Sequence, residues 1–324
     1  MMENDLGDDG DYIYKKPLDL FEEKKFVKMC APMVRYSKLP FRMLVRKFDC
    51  DLAFTPMIIA NSFIKSLKAR DSEFTTCRED RPLIVQFAAN NSKDFADAAE
   101  IVTPYSDGVD LNCGCPQGWA MADGYGACLI KKPELLKDMI QQVKSRVCRG
   151  DFTVSIKIRL HDDLRETVSM CQTVEKAGVS WIAVHGRTKE QRSHPVNWEA
   201  IKLVRENVRV PVVANGDLKS IQDVLDIQNK TGVAGVMAAR GMLQNPAMYA
   251  GHDETPWECV SDWLSLSMSL GTPFQLFHHH LMYMLEKVMS KAERRIFNTL
   301  PSTAAVLDYL QETYGLGPMT GKLS

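Results

Sequence analysis

The sequence predicts an α/β fold in which a (β/α)8 TIM barrel is followed by a small C-terminal helical domain. Between residues 27 and 241, eight short apolar runs alternate with amphipathic stretches. This is the pattern of parallel strands that are buried on both faces and joined by helices. No G-x-G-x-x-G motif follows the first run, which disfavours an open dinucleotide-binding sheet. After residue 251 only helical patterns remain.

The predicted elements follow these runs in order. The eight strands are expected at residues 27–32, 51–56, 83–87, 108–112, 153–158, 181–186, 211–216 and 235–241. Helical patterns between them include residues 133–147 and 164–177, and the later helices are expected at residues 260–270, 278–300 and 302–314. Eight strand–helix units suit a closed barrel of about 250 residues.

The chain is accordingly expected to have three parts. They are an N-terminal extension, partly disordered, over residues 1–25, a barrel over residues 26–250 and a helical domain over residues 251–324. The first dozen residues are acidic and lack the apolar run of a signal peptide, so we expect them to be disordered.

Composition restricts the class of protein. With 40 basic and 41 acidic residues, the net charge is -1, so any surface for nucleic acid must be a local patch. Nine cysteines, an odd number in a chain of 324 residues, argue against a disulfide framework and fit a reducing compartment. No apolar run is long enough for a membrane span. We expect a cytoplasmic protein, with a nuclear location as the alternative, and no stable protein partner.

Polar side chains stand at the predicted carboxyl ends of six strands, where barrel enzymes hold their working groups. They are Gln86, Asn112, Cys113, Cys115, Lys157, Arg159, His185, Arg187, Asn215, Asp217 and Arg240. So many reactive groups at one mouth are hard to explain by packing, and they predict an active site.

The last two strand ends predict a phosphate site. Barrels often bind phosphate with the loops after strands seven and eight and the helix N-terminus that follows. Here those loops contain Asn215-Gly216-Asp217 and Ala239-Arg240-Gly241. The glycines would admit a phosphate close to the backbone, and Arg240 would bind it. The alternative is that these glycines only terminate strands.

Lys157 lies inside an apolar run, where an ammonium needs a negative partner. An anionic cofactor ring would serve. The alternative is a structural ion pair with a barrel carboxylate such as Asp110.

Seven segments between residues 31 and 250 resemble, in order, the motifs of the tRNA-dihydrouridine synthases. They are APM, VQFAAN, DLNCGCPQGWAMADGYGACLI, SIKIR, VHGRT, ANGD and ARGMLQNPAMYA. The most specific part is N-x-G-C-P followed by G-x-G-A. The stretches RDSEFTT and LIVQFAAN favour the branch of the family that acts at positions 20a and 20b.

The resemblance implies a flavin-dependent enzyme that reduces uridine to 5,6-dihydrouridine in the D-loop of tRNA. NADPH, or NADH, would reduce FMN, and the reduced flavin would pass hydride to C6 of the uracil. The acid that protonates C5 would be Cys115, directly before Pro116. The implied FMN contacts are Ala31, Pro32, Met33, Gln86, Lys157, His185, Asn215, Gly216, Asp217, Ala239 and Arg240.

The chain departs from the family pattern at two positions. The family often has Gly before the last strand's Arg, whereas this chain has Ala239, and Cys128 replaces a smaller or apolar residue. The pair Cys113 and Cys115 could bind a metal, but no further paired cysteines or spaced histidines complete a site, so none is predicted. The triple histidine 278–280 is expected to be solvated or partly packed.

Residues 278–300 are expected to form one amphipathic helix that contacts RNA. At 100° per residue its apolar face contains Leu281, Leu285, Val288, Met289, Ala292 and Ile296. The opposite face contains Lys287, Lys291, Arg294 and Arg295. An ordinary solvated face is the alternative, and the resemblance favours tRNA. Nearer the mouth, Asn112, Arg159 and Arg187 are the expected substrate contacts.

Two other functions fit parts of the pattern. One is an FMN barrel that acts on a small molecule, as a dihydroorotate dehydrogenase does, but such an enzyme would not need the basic face of the helical domain. The other is a non-enzymatic RNA-binding relative. Cys115, Lys157 and Arg240 are all present, which argues against it.

Overall fold

The computed structural model describes residues 14–318, and its centre is a closed parallel sheet surrounded by helices. The strands are β1 (Val27–Cys30), β2 (Leu52–Phe54), β3 (Ile58–Ile59), β4 (Leu83–Ala88), β5 (Gly108–Cys113), β6 (Thr153–Arg159), β7 (Trp181–His185), β8 (Val212–Asn215) and β9 (Gly235–Ala238). Each pairs in parallel with its neighbours, and the pairing of β2 with β4 closes the barrel. The predicted fold is confirmed, and eight of these strands lie at the predicted runs.

The short strand β3 is the one that the sequence pattern does not predict. It pairs with the end of β4 through Ile58 and Phe87. Pro56 separates it from β2, because proline has no N–H to continue the ladder.

The helices cover the outside of the barrel and then continue beyond it. Around the strands they are α1 (Pro17–Glu23), α2 (Leu39–Lys47), α3 (Ala60–Lys65), α4 (Leu67–Glu73), α5 (Ser92–Val102), α6 (Gly118–Ala122), α7 (Pro133–Arg146), α8 (Leu164–Lys176), α9 (Trp198–Asn207), α10 (Ile221–Thr231) and α11 (Arg240–Gln244). Beyond the barrel they are α12 (Trp257–Ser269), α13 (Phe274–Met284), α14 (Lys291–Phe297) and α15 (Thr303–Tyr314).

The expected disorder of the first dozen residues lies outside the described residues. The rest of the predicted extension, from residue 14, is ordered. Its helix α1 packs Leu20 into the core, and the Tyr14 hydroxyl donates a 2.6 Å hydrogen bond to Asp107. Among residues 14–318, no helix has the length and apolarity to cross a membrane. The location of the protein and the absence of a stable protein partner stay predictions.

The buried Tyr249 closes the seam between the first and last strands. Its hydroxyl donates to the Met29 carbonyl at 2.9 Å and accepts the Ala238 N–H at 3.0 Å. Because the Ala238 N–H is the last donor of β9, this contact fixes where the strand ends. The loop that follows contains Ala239 and Arg240.

The prediction of one helix over residues 278–300 is wrong. Helix α13 ends at Met284 and α14 begins at Lys291. Ser290 and Glu293 form a capping box that starts the new helix and changes the phase of its faces. As a result Ile296, which is 57% exposed, lies outside the core, and Phe297 is buried in its place.

Two histidines of the triple 278–280 are packed inside. His280 lies between Phe41 of the barrel helix α2 and Trp263 of α12, with ring centroids 4.6 and 4.5 Å away. Burial lowers the pKa of His280 to about 3, so the ring is neutral at ordinary pH. His278 is also buried and bonds the Phe297 carbonyl. His280 therefore packs the helical part against the barrel, and His278 joins α13 to α14, while His279 is exposed.

Candidate active site at the barrel mouth

The turn after β5 presents Cys115 at the carboxyl end of the barrel. The Asn112 side-chain oxygen accepts the N–H groups of Gly114 and Cys115, at 3.3 and 3.0 Å. Cys113 is still part of the strand and faces the core, fully buried. The turn therefore separates the two cysteines, and only Cys115 is partly exposed.

A second loop supports Cys115 from behind. The Ala127 N–H donates to the Cys115 carbonyl at 3.0 Å. Gly126 beside it has φ +69°, and a Cβ at this position would lie 2.5 Å from the same carbonyl oxygen. Only glycine fits there without displacing Cys115. Gly126 is thus a positioning residue, and the G-x-G-A part of the motif was its signal in the sequence.

A buried polar network occupies the barrel lumen below this turn. Gln86 donates to Asp110 at 2.8 Å and accepts from the Asn112 amide at 2.9 Å. Asp110 also accepts from Ser155 at 2.7 Å. Burial raises the pKa of Asp110 to about 6, against the lowering effect of these bonds. Both the oxygen and the amide group of Gln86 are therefore already engaged inside the protein.

Lys157 lies in register with Asn112 on the neighbouring strand. Among the described residues no carboxylate lies within 4.0 Å of its ammonium, so the alternative ion pair with Asp110 does not form. Burial, with the charge of Arg159 beside it, lowers the pKa of Lys157 to about 8. The charge of Asp110 opposes this lowering only from beyond 4.0 Å, so no carboxylate of the described chain is in direct contact with the ammonium.

Arg159 connects the loops on either side of it. Its Nε donates to the Gly114 carbonyl at 2.9 Å, and its Nη1 donates to the carbonyls of Thr188 and Gln191, at 2.9 and 3.2 Å. Three main-chain contacts hold the guanidinium in place. This geometry gives Arg159 a structural task in addition to the substrate contact that was predicted for it.

His185 is the last residue of β7, and its side chain contacts that of Arg187, two residues later. The Arg187 Nη1 lies 3.3 Å from His185 Nε2. Burial lowers the pKa of His185 to about 2, with Lys157 and Arg159 as the next causes, so the imidazole is neutral. Because arginine can only donate, Nε2 must accept, and the proton of His185 is on Nδ1.

Asp217 joins the two predicted phosphate loops. Arg187, which is almost fully buried, binds both carboxylate oxygens of Asp217, and Arg240 donates to one of them at 3.0 Å. These arginines lower the pKa of Asp217, with the hydrogen bond from Arg187 as the largest cause. The Arg240 side chain is 77% exposed. Arg187 thus faces Asp217, whereas Arg240 is accessible at the mouth.

Each of the two glycines in these loops is required by a different close packing contact. Gly216 has φ +148°, and a Cβ there would lie 2.7 Å from the Val196 side chain. A Cβ at Gly241 would lie 2.0 Å from the Leu218 carbonyl oxygen. Gly241 therefore lets the two loops pack together, which is a different use from the close phosphate approach that the sequence suggested.

The remaining predicted cofactor contacts also reach this mouth. Asn215 donates to the Met237 carbonyl at 2.7 Å and so ties β8 to β9. The Ala31 N–H donates to the Ala238 carbonyl at 2.9 Å, and the Met33 N–H donates to Ser37 Oγ. The end of β1 therefore lies beside the loop that contains Arg240, and Pro32 is partly exposed between them.

Comparison with known proteins identifies the family. The family described as dihydrouridine synthase (Dus) matches residues 29–311. The chain belongs to the dihydrouridine synthase family. A Mus musculus protein named tRNA-dihydrouridine(20a/20b) synthase (NAD(P)+)-like is 60% identical over 93% of both chains. A Schizosaccharomyces pombe protein named tRNA-dihydrouridine(20a/20b) synthase (NAD(P)+) is 45% identical over 93% of this chain and 92% of its own.

A more distant relative and a solved structure complete the comparison. A Rattus norvegicus protein named tRNA-dihydrouridine(16/17) synthase (NAD(P)(+))-like is 38% identical over 87% of this chain and 66% of its own. The crystal structure of TcOYE with pHBA has a TM-score of 0.52 at 9% identity, and covers 73% of this chain and 89% of that one. At such low identity this likeness concerns the fold alone, and it agrees with the barrel.

The chemistry of the mouth suits an anionic ligand, as a flavin phosphate or a reduced flavin ring would be. Four cations, Lys157, Arg159, Arg187 and Arg240, meet there, and Asp217 is the carboxylate that pairs with two of them. Among residues 14–318, no three His, Cys, Asp or Glu side chains are arranged to hold a metal ion.

The basic residues of the helical part follow a helix that packs on α11. Helix α11, which starts at Arg240, packs on α13, and Gln244 donates to Glu286 at 3.1 Å. Lys287 follows directly in the turn between α13 and α14. Helix α14 contains three cations, Lys291, Arg294 and Arg295. Neither these three nor Lys287 makes an ion pair with any described residue. We call these four residues the basic segment.

We predict that Lys157→Met stabilises the ligand-free protein at pH 7 by on the order of 1–3 kcal/mol, because it removes a desolvated ammonium with no carboxylate in direct contact. The folded pKa of about 8 lies below the unfolded one, so the unfolded wild type binds more protons above pH 8. Wild-type stability therefore rises there, and the advantage of the variant shrinks. Denaturant unfolding at pH 7 and pH 9.5 measures both effects.

The matched control is Lys65→Met, since Lys65 is exposed on α3. Its stability should stay within about 0.5 kcal/mol of wild type at both pH values. A less stable Lys157→Met protein would show that the ammonium has a stabilising partner in the folded chain.

Proposed function

We propose that this chain is a flavin-dependent tRNA-dihydrouridine synthase that reduces uridine to 5,6-dihydrouridine in tRNA. The observation that carries the proposal is the N-x-G-C-P turn, which holds Cys115 at the rim of a mouth with unbalanced positive charge. The family match over residues 29–311 supports it. The small-molecule alternative explains neither the basic segment nor the relatives' names.

The substrate position is the D-loop, at uridines 20a and 20b. The relatives at 60% and 45% identity carry these positions in their names, whereas the relative named for positions 16/17 is only 38% identical. The same names give NAD(P)+, which supports NADPH or NADH as the reductant.

The cofactor is FMN, held across the mouth by the predicted contacts. Bound flavin would supply the hydride for C6 of the uracil, after reduction by NAD(P)H. Arg240 is exposed and makes a single hydrogen bond to Asp217, so its remaining N–H groups can bind the phosphate. Lys157 can balance negative charge on the ring, and the neutral His185 can orient it or a uracil carbonyl. Asn215, Gln86 and the end of β1 shape the pocket.

The proton for C5 comes from the Cys115 thiol. A uridine stacked in folded tRNA cannot reach a barrel mouth, so the base must leave its stack, as it does in other base-modifying enzymes. Asn112 fixes the main chain of Cys115, while Gly126 leaves room for that position. With the base bound there, Cys115 would donate the proton from Sγ to C5 of the uracil.

The RNA contacts come from the basic segment and from the mouth. Cations near phosphates set the affinity, while the shape of the RNA selects the site. The Gln244–Glu286 bond joins α11, which begins at Arg240, to the turn in which Lys287 lies. Arg159 and Arg187 contribute by holding the loops at the mouth.

We expect Cys115→Ala to retain its flavin and to oxidise NADPH at a near-normal rate, because flavin reduction needs no proton from this side chain. Reduction of tRNA uridine should fall about 10²–10⁴-fold, the usual range for the loss of a positioned general acid. Stopped-flow traces with NADPH, and then with unmodified tRNA added to the reduced enzyme, separate the two steps.

The control is Cys113→Ala, which should keep most activity because Cys113 points into the core, two residues away. If reduced Cys115→Ala were reoxidised by tRNA as fast as wild type, the proton would come from another group.

Arg240→Ala should weaken flavin binding about 10- to 150-fold, since a charge-assisted phosphate contact contributes about 1.5–3 kcal/mol. Flavin titration of the apoprotein gives the affinity, and the mass of the released cofactor identifies it. Arg205→Ala is the control, because Arg205 is exposed on α9 and bonds the Gly232 carbonyl. Equal flavin affinity in Arg240→Ala and wild type would remove Arg240 from the phosphate site.

Reversing two charges of the basic segment, Lys287→Glu with Arg295→Glu, should weaken tRNA binding and flatten its dependence on salt. The slope of log K against log salt should fall by roughly 0.7–0.9 for each lost phosphate contact. The control is Lys176→Glu with Arg209→Glu, exposed residues that lead into the amino ends of β7 and β8. Identical salt slopes in both double variants would make the basic segment an ordinary solvated surface.

A further inference from the structure

Trp119 is a large aromatic side chain, close to Cys115 in the sequence, that the proposed mechanism does not use. It lies on α6, four residues after Cys115, so the two Cα atoms are at most about 15 Å apart. The residue is 47% exposed, although tryptophan is highly buried on average. An exposed indole at the rim of an active site therefore indicates a contact with a ligand.

The support of Trp119 is firmly held. The Tyr125 N–H donates to the Ala120 carbonyl at 2.7 Å, and the Asn90 side chain donates to the Asp123 carbonyl at 2.8 Å. These bonds fix the carboxyl half of α6 against the neighbouring loops. The ring of Trp119 is consequently presented from an ordered support at a defined place on the rim.

Trp119 is about half exposed, and its one polar atom is engaged. The indole N–H donates to the Gln117 side-chain oxygen at 3.3 Å. What Trp119 offers to a ligand is thus mainly the aromatic face.

We propose that Trp119 stacks on a nucleobase that neighbours the target uridine in the RNA, which rests on the proposed function. When the uridine leaves its stack to reach Cys115, the adjacent bases lose a stacking partner. An aromatic side chain replaces that partner whatever the base, because every base has a π-face. The cations of the same mouth attract the phosphates of this segment.

Three substitutions separate stacking from simple apolar contact. Trp119→Ala and Trp119→Leu should weaken tRNA binding and raise the KM for tRNA about 5- to 150-fold, the usual range for loss of one base–aromatic stack. Trp119→Phe should restore most of the affinity. Tyr105→Ala is the matched control, because Tyr105 is 56% exposed and precedes the amino end of β5, opposite the mouth.

The measurements are the tRNA dissociation constant, the KM and kcat of tRNA reduction, and the rate of flavin reduction by NADPH without RNA. Wild-type behaviour of all three variants would overturn the inference, and so would equal affinity of the Leu and Phe variants. Slower flavin reduction without RNA would assign the ring to the nicotinamide instead, and would also overturn it. If the wild-type protein itself neither binds nor reduces tRNA, that result contradicts the proposed function, on which the Trp119 inference rests.

Discussion

Positive charge without matching negative charge at the barrel mouth is the constraint on which the rest of the site depends. Moving a cation out of water is costly unless partners replace the solvent. Main-chain carbonyls do this for Arg159, and Asp217 does it for Arg187. Lys157 has no such partner, and its pKa falls to about 8. An anion bound there would stabilise the ammonium, so the protein is built to be completed by its ligand.

The same constraint organises the cysteine turn. The buried Gln86–Asp110 network holds the Asn112 side chain, and Asn112 in turn binds the main-chain N–H of Cys115. Arg159 holds the Gly114 carbonyl from the other side. Arg159 and the Gln86–Asp110 network therefore both hold the same turn. The position of the thiol thus depends on residues deep in the lumen. Side chains alternate along a strand, so a polar residue moved by one position on these strands would face the outer helices instead.

The sequence was sufficient to predict the barrel, because eight apolar runs with helices between them have few other solutions. It was also sufficient to place the polar residues at one mouth, since parallel strands share a direction. It did not predict which partners those residues choose. The Asp217 bridge and the Arg159 contacts depend on loops far apart in the chain, as does Gly126 against Cys115. The helix break at Ser290 was readable as a capping box, but the apolar periodicity of residues 281–289 concealed it.

The helical part is coupled to the mouth by packing rather than by charge. His280 stacks between barrel and helix rings, and the Gln244–Glu286 bond joins α11 to the start of the basic segment. Because α11 begins at Arg240, the loop proposed to hold phosphate and the surface proposed to hold RNA share one support. The distance from the basic segment to Cys115 is then set by the fold. If the basic segment anchors the tRNA as proposed, the fold then limits which uridines reach Cys115.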